Sequence, residues 1–156
     1  SEKILVVSKE LLQANNACFQ GFKAGPDHVL WNLFAENGVF MERDQMERTP
    51  AKAVNCLSGS QIQEQGLSLP AIKATGEKRL LDQYSFGLGG HINPVSSVSF
   101  RKLITYNLNR ELKEEVVFPG YYSYGFLGFL NDEQTEVGKY HLGLVFLMIN
   151  GRIIVR

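Results

Sequence analysis

The sequence predicts a mixed α/β or α+β sandwich, and three observations carry that expectation. Runs rich in β-branched and aromatic residues recur along the chain, as in KILVV (Lys3–Val7), AKAVNCLSG (Ala51–Gly59) and KYHLGLVFLMI (Lys139–Ile149). One segment has a clear helical period, with Ile104, Leu108, Leu112 and Val116 spaced every four residues. The strand-like runs lie far apart, so their pairing is non-local. The 156 residues are 44% apolar and 21% charged, enough for one domain with its own core and too apolar for a disordered chain.

Taken in order, Lys3–Val7 reads as a short strand. From Leu11 to Phe34 the pattern is mixed, broken by KAGPDH (Lys23–His28), and Gly38–Arg43 reads as another short strand before the charged, turn-ending stretch ERDQMERTP. Ala51–Gly59 is a strand, followed by a loop-like stretch to about Gly76. YSFGLGGHINP (Tyr84–Pro94) starts as a strand and breaks at its glycines and Pro94. The periodic helix follows, with Pro119-Gly120 as its stop. Tyr121–Asn131 and Lys139–Ile149 are aromatic, β-branched strands separated by the polar loop DEQTEVG, and GRIIVR ends the chain as a last short strand. No repeat or low-complexity segment is present.

Sixteen Lys and Arg balance sixteen Asp and Glu, so the chain has no broad basic field for bulk nucleic acid. Cys18 and Cys56 fit neither a disulfide framework nor a CxxC metal site, and read as reduced core residues. No apolar run approaches the roughly 18 residues that cross a membrane. KILVVSKELL lacks the apolar core and cleavage site of a secretion signal, which makes a cytoplasmic protein the simplest expectation. GLGG lacks dinucleotide-loop spacing, and no P-loop or G-x-S-x-G elbow occurs. Three scattered histidines do not suggest zinc.

RELKEEV (Arg110–Val116) carries the chemistry. On a helix, Glu111, Glu114 and Glu115 stand at i, i+3 and i+4 and are neighbours, beside the apolar stripe. Their mutual repulsion is offset if they hold a divalent cation, and Mg²⁺ favours oxygen ligands with substrate phosphates. Alone, the same residues also read as a solvated helix face with an Arg110–Glu114 pair.

The upstream glycines decide between these. GLGGHINP followed by RELKEE resembles the signature of the Nudix hydrolases, G-x5-E-x7-R-E-U-x-E-E-x-G-U, where U is aliphatic. Gly90, Arg110-Glu111-Leu112 and Glu114-Glu115 match it. YSFGLGGHINP, RELKEEV and GFLNDEQTEVGKYHLGLVF are more closely similar to a subgroup of predicted phosphoesterases. The resemblance covers about Ala51 to the C-terminus, leaving residues 1–50 as a family-specific segment packed on the core and 51–156 as the Nudix-like domain. The departures are specific. The signature's first Glu falls on Ser96 counted from Gly90 and on Lys102 counted from Arg110, because VSSVSFR is an insertion, and the glycine after the paired glutamates is Val117.

The resemblance implies an α/β/α sandwich with a mixed sheet and a Mg²⁺- or Mn²⁺-dependent hydrolase cleaving the pyrophosphate bond of a nucleoside diphosphate derivative. It makes Glu111, Glu114, Glu115 and the Gly90 carbonyl metal ligands and Arg110 an orienting residue. The general base comes from the helix, with Glu114 as its candidate, or from the Asp132–Glu136 loop, where Glu136 matches the subgroup. His91 and Asn93 are candidate substrate-binding residues, a hydrogen-bonded turn being the other reading of His91, whereas His141 reads as structural. Nudix domains often dimerise, so a homodimer is an expected partner. They usually add a C-terminal helix, so either this domain is truncated or its first 50 residues cover that face. The missing Glu leaves an alternative, a catalytically degenerate module that binds a nucleotide or protein.

Overall fold

The four apolar residues at the start of the chain already determine the centre of the fold. In strand β1 (Lys3–Ser8), Ile4 and Val6 enter one hydrophobic cluster and Leu5 and Val7 another, and none is more than 2% exposed. Successive residues of a strand point to opposite faces, so both faces of β1 are covered. The computed structural model describes residues 2–60, 88–117, 123–149 and 154–155, with side chains over 2–57, 90–111 and 125–147.

After β1 come α1 (Lys9–Ala14), β2 (Gly21–Ala24), α2 (His28–Asn37), β3 (Val39–Glu42) and α3 (Arg43–Met46). The long strand β4 (Ala51–Ser60), β5 (Leu88–His91), helix α4 (Phe100–Glu115) and β6 (Val116–Val117) follow. The chain continues through β7 (Ser123–Asn131), a 3-10 turn at Gly138–Tyr140, β8 (His141–Ile149) and β9 (Ile154–Val155). Seven strands form one sheet in the order β2-β7-β8-β4-β1-β3, with β5 also paired to β4. The sheet is mixed: β4 and β8 run parallel, and the other pairs are antiparallel. β6 and β9 form a separate two-stranded sheet.

Helices lie on both faces. The main core joins Leu12 of α1, Leu30, Leu33 and Phe34 of α2 and Ile104 and Leu108 of α4 to Leu5, Val7, Val54 and Cys56 of the sheet. On the opposite face, Met46 of α3 packs on Ile4, Val6, Ala51 and Ala53. Strands β1, β2 and β3 all come from the first fifty residues. No helix among the described residues is long and apolar enough to cross a membrane.

Several expectations need correction. The mixed stretch Leu11–Phe34 contains most of α1, all of β2 and much of α2. Both helices depend on end chemistry: Ser8 Oγ accepts from the Leu11 amide at 3.2 Å, and Asp27 Oδ1 from the Leu30 amide at 3.0 Å. The charged stretch after Phe40 forms α3 and buries Met46 to 5% exposure. Helix α4 ends at Glu115; Val116 leaves it to pair with Val155 in β6–β9. Cys56 is buried, but Cys18 is exposed, and both are free thiols. The loop to Gly76 and the Pro119-Gly120 stop lie outside the described residues.

Candidate functional site

Pairing with β4 positions β5. Gly90 lies opposite Cys56, and α4, anchored by Ile104 and Leu108, crosses above this point. Glu111 follows Leu108 by three residues and meets Gly90 face to face. A Cβ on Gly90 would stand 2.5 Å from Glu111 Oε1 and 2.8 Å from its Cδ. Only a glycine lets the carboxylate lie against the strand backbone here.

Arg110 fixes that carboxylate. Its Nη2 donates to Glu111 Oε1 at 2.9 Å and to the His91 carbonyl at 3.2 Å, and its Nη1 donates to Asn93 Oδ1. The Asn93 Nδ2 in turn donates to the Lys3 carbonyl at 2.8 Å and to Glu2 Oε2 at 3.2 Å, so its oxygen faces the guanidinium. The Arg110 and Glu111 side chains are 31% and 18% exposed, a half-sheltered pair at the edge of the core. Beneath them the Cys56 thiol is pushed up to about 12 by burial, raised further by the Glu111 charge and lowered by Arg110. It is a neutral thiol at physiological pH.

Asn107, which sequence reasoning missed, locks the loop to the helix. Its Oδ1 accepts from the Asn93 amide at 2.8 Å, and its Nδ2 donates to the Asn93 and Leu103 carbonyls at 3.0 and 2.9 Å. The available signal was a polar residue three positions after Ile104 on the apolar stripe, where burial demands partners. Lys52 was missed too. Its buried Nζ reaches Asn131 Oδ1 at 2.5 Å, the Gly138 carbonyl at 2.9 Å and Glu133 Oε1 at 2.7 Å. These contacts tie down the loop between β7 and β8.

The other candidates are dispersed. The His91 ring does not join Glu111: adjacent to Gly90 in a strand, it faces the opposite side. There it stacks on His141 at 5.7 Å, lies 3.5 Å from Glu2 Oε1 and lines a cavity with Arg43, Glu47 and Tyr140. Burial lowers the His91 pKa, with the His141 and Arg43 charges acting the same way and Glu2 opposing. Glu136 is 85% exposed, bonds to Lys139 at 3.5 Å and touches neither Arg110 nor Glu111. Glu114 and Glu115 end α4, and their side chains lie outside the described residues. Among the described residues no three His, Cys, Asp or Glu side chains converge as a metal-binding group.

No family model matches the chain. Over 73 residues, 45% of this chain, it is 37% identical to Protein YmaB of Bacillus subtilis (strain 168); the match spans only 35% of that relative's length. The crystal structure of "Tm1382, a putative Nudix hydrolase" superposes with a TM-score of 0.73 at 27% identity, covering 99% of this chain and 78% of the other. The fold is that of a Nudix hydrolase. In this Nudix-like fold the segment VSSVSFR turns at Ser96–Ser97, where Ser97 adopts a φ of 59°, and its last two residues, Phe100 and Arg101, open α4. Ser99 Oγ then accepts from the Lys102 amide at 3.3 Å and caps α4. Ser96 and Lys102 are both exposed, and neither supplies a carboxylate.

Proposed function

We propose that the chain is a Mg²⁺- or Mn²⁺-dependent Nudix-type hydrolase that cleaves the pyrophosphate bond of a nucleoside diphosphate derivative. The observation that carries this is the Gly90–Glu111 cradle held by Arg110. A carboxylate laid on a strand backbone, with a guanidinium on one oxygen, is pre-oriented before any ligand arrives. The donor set fits a hard divalent cation: the Glu111 carboxylate, the Gly90 carbonyl, and Glu114 and Glu115 on the next turn of α4 are all oxygen ligands. When bound, the metal would neutralise charge on the diphosphate oxygens.

The chain's own residues do the rest. Arg110 keeps Glu111 in one rotamer, and Asn93 and the His91 carbonyl keep Arg110 in place. The reading assigns proton acceptance from the attacking water to Glu114 on α4, since the Glu136 carboxylate bonds to Lys139 and is largely solvated. A binding module without turnover is the second reading, favoured by Ser96 and Lys102 standing where the signature has its first Glu.

The test is phosphate release or phosphorus NMR across nucleoside diphosphate derivatives with Mg²⁺ or Mn²⁺, with Glu114→Gln alongside. Metal-dependent hydrolysis that disappears in the variant is the expected result. Folded protein that binds nucleotide but turns over nothing in the panel would replace the hydrolase with the binding module.

A further inference from the structure

A cavity of about 550 Å³ opens between α2 and α4 on the Glu111 side of the sheet, within the size range of small-molecule sites. Its walls include Trp31 and His28 of α2, Arg101, Thr105 and Leu108 of α4, and Phe126 of β7. Along α4, Leu108 stands three residues before Glu111, about 4.5 Å at 1.5 Å per residue. Along α4 the cavity therefore reaches to within one helical turn of the Glu111 position.

The aromatic wall is rigid. Trp31 meets Phe100 edge to face at 5.0 Å and 76°, and Phe126 at 5.5 Å and 71°. Phe126 packs against Gly25 so closely that a Cβ there would come within 2.7 Å of its ring. Rings fixed in this way bind a flat ligand with little ordering cost.

The polar groups at the cavity are sorted by charge. Asp27 is already occupied: it caps α2 and pairs with Lys23 Nζ at 2.8 Å, and the Lys23 hydrogen bond holds its pKa below the usual carboxylate range. In contrast, the Arg101 guanidinium and the Trp31 indole N–H have no hydrogen-bond or ion-pair partner among the described residues. Arg101 and Trp31 offer donors only, whereas His28 and Thr105 on the same walls can also accept. A guanidinium fork matches two adjacent acceptors, as on the O6/N7 edge of guanine, whereas adenine presents a donor beside its acceptor.

We propose that this cavity is the subsite for the base carried on the diphosphate, and that it selects guanine over adenine through Arg101 with Trp31 as the ring wall. The inference rests on a diphosphate being bound at Glu111. Part of the wall comes from Pro26 to Trp31 of the N-terminal segment, whereas the selecting Arg101 stands near the start of α4, between Gly90 and Arg110.

Trp31 is the chain's single tryptophan, so intrinsic fluorescence reports the cavity directly. The full chain is titrated with GDP, ADP and guanosine, with and without Mg²⁺, and phosphate release is read on the same samples. The expected result is quenching by GDP and guanosine, with GDP binding on the order of tenfold more tightly than ADP. Arg101→Gln should retain quenching but bind GDP and ADP equally. Equal affinity of the unaltered chain for GDP and ADP, or no quenching by either guanine compound, overturns the subsite, and hydrolysis in those samples would leave the hydrolase standing. Guanine-selective quenching without hydrolysis under any metal condition keeps the subsite and removes the hydrolase.

Discussion

Two charged clusters on the same face of the sheet use nearly the same parts. At one, Lys52 is held by Asn131, the Gly138 carbonyl and Glu133; at the other, Arg110 is held by Asn93, the His91 carbonyl and Glu111. Each also has a glycine with no room for a side chain: a Cβ on Gly138 would strike the Asp132 carbonyl, and one on Gly90 would strike Glu111. They differ in closure. The Lys52 side chain is 2% exposed and all three ammonium donors are used, so that cation is saturated even though its Glu133 partner is 38% exposed. The Arg110–Glu111 pair is sheltered without being sealed. A saturated cation fastens a loop; a half-open pair has a face left for chemistry.

The largest test of this contrast is Lys52→Met. Removing the ammonium leaves Asn131, Gly138 and Glu133 facing an apolar side chain, a loss of about 3 kcal/mol or more in denaturant unfolding. Turnover per folded molecule should be unchanged; intact stability with lost turnover would reverse the two roles. The same cluster sets an acid limit. Burial raises the Glu133 pKa, but hydrogen bonds from Lys52 and Asn131 and the Lys52 charge outweigh it, and the net shift is downward. Its contribution is thus complete above the ordinary Glu value of about 4.3 and is lost as pH falls through the lowered folded value. Glu133→Gln should flatten that part of the stability curve, and an unaltered acid limb would contradict the assignment.

Gly90→Ala comes next and should do the opposite. Displacing the Glu111 carboxylate costs on the order of 100-fold in turnover. The obstructed atoms are the end of a flexible side chain, so the melting temperature should stay within about 3 °C. Arg110→Gln is milder, with Mn²⁺ affinity about tenfold weaker by calorimetry; unchanged affinity would detach Arg110 from the ligand set. His91→Ala should have the smallest effect, about 1 kcal/mol from the lost His141 stack and less than about threefold in turnover. Abolished turnover in that variant would mean that the far face takes part in the reaction.

Much of this contrast was legible in the sequence, and the illegible part has physical causes. β4, β7 and β8 announce themselves through β-branched and aromatic residues, and the spacing within RELKEE puts the glutamates on one side of α4. The short helices α1 and α2 were hidden because their ends depend on single capping side chains, Ser8 and Asp27. Gly90 and His91 were grouped because they adjoin in sequence, whereas a strand must send neighbours to opposite faces. Lys52 in AKAV resembles a solvated strand position. Its burial depends on Asn131 and Gly138, 79 and 86 residues away, and no local pattern reveals that.

Strand β2 completes the sheet at an edge beside β7, and Gln20 next to it hydrogen-bonds to Asp132, 112 residues further on. β4 likewise needs β8. During synthesis the doubly buried run Ile4–Val7 can pair early with β3 and β4, but its sheet stays open until the β7–β8 hairpin has emerged. Closing loops of that length is slow, and an open sheet edge exposes apolar surface meanwhile. Refolding of the full chain should therefore be limited by the non-local docking of the β7–β8 hairpin onto β4 and β2.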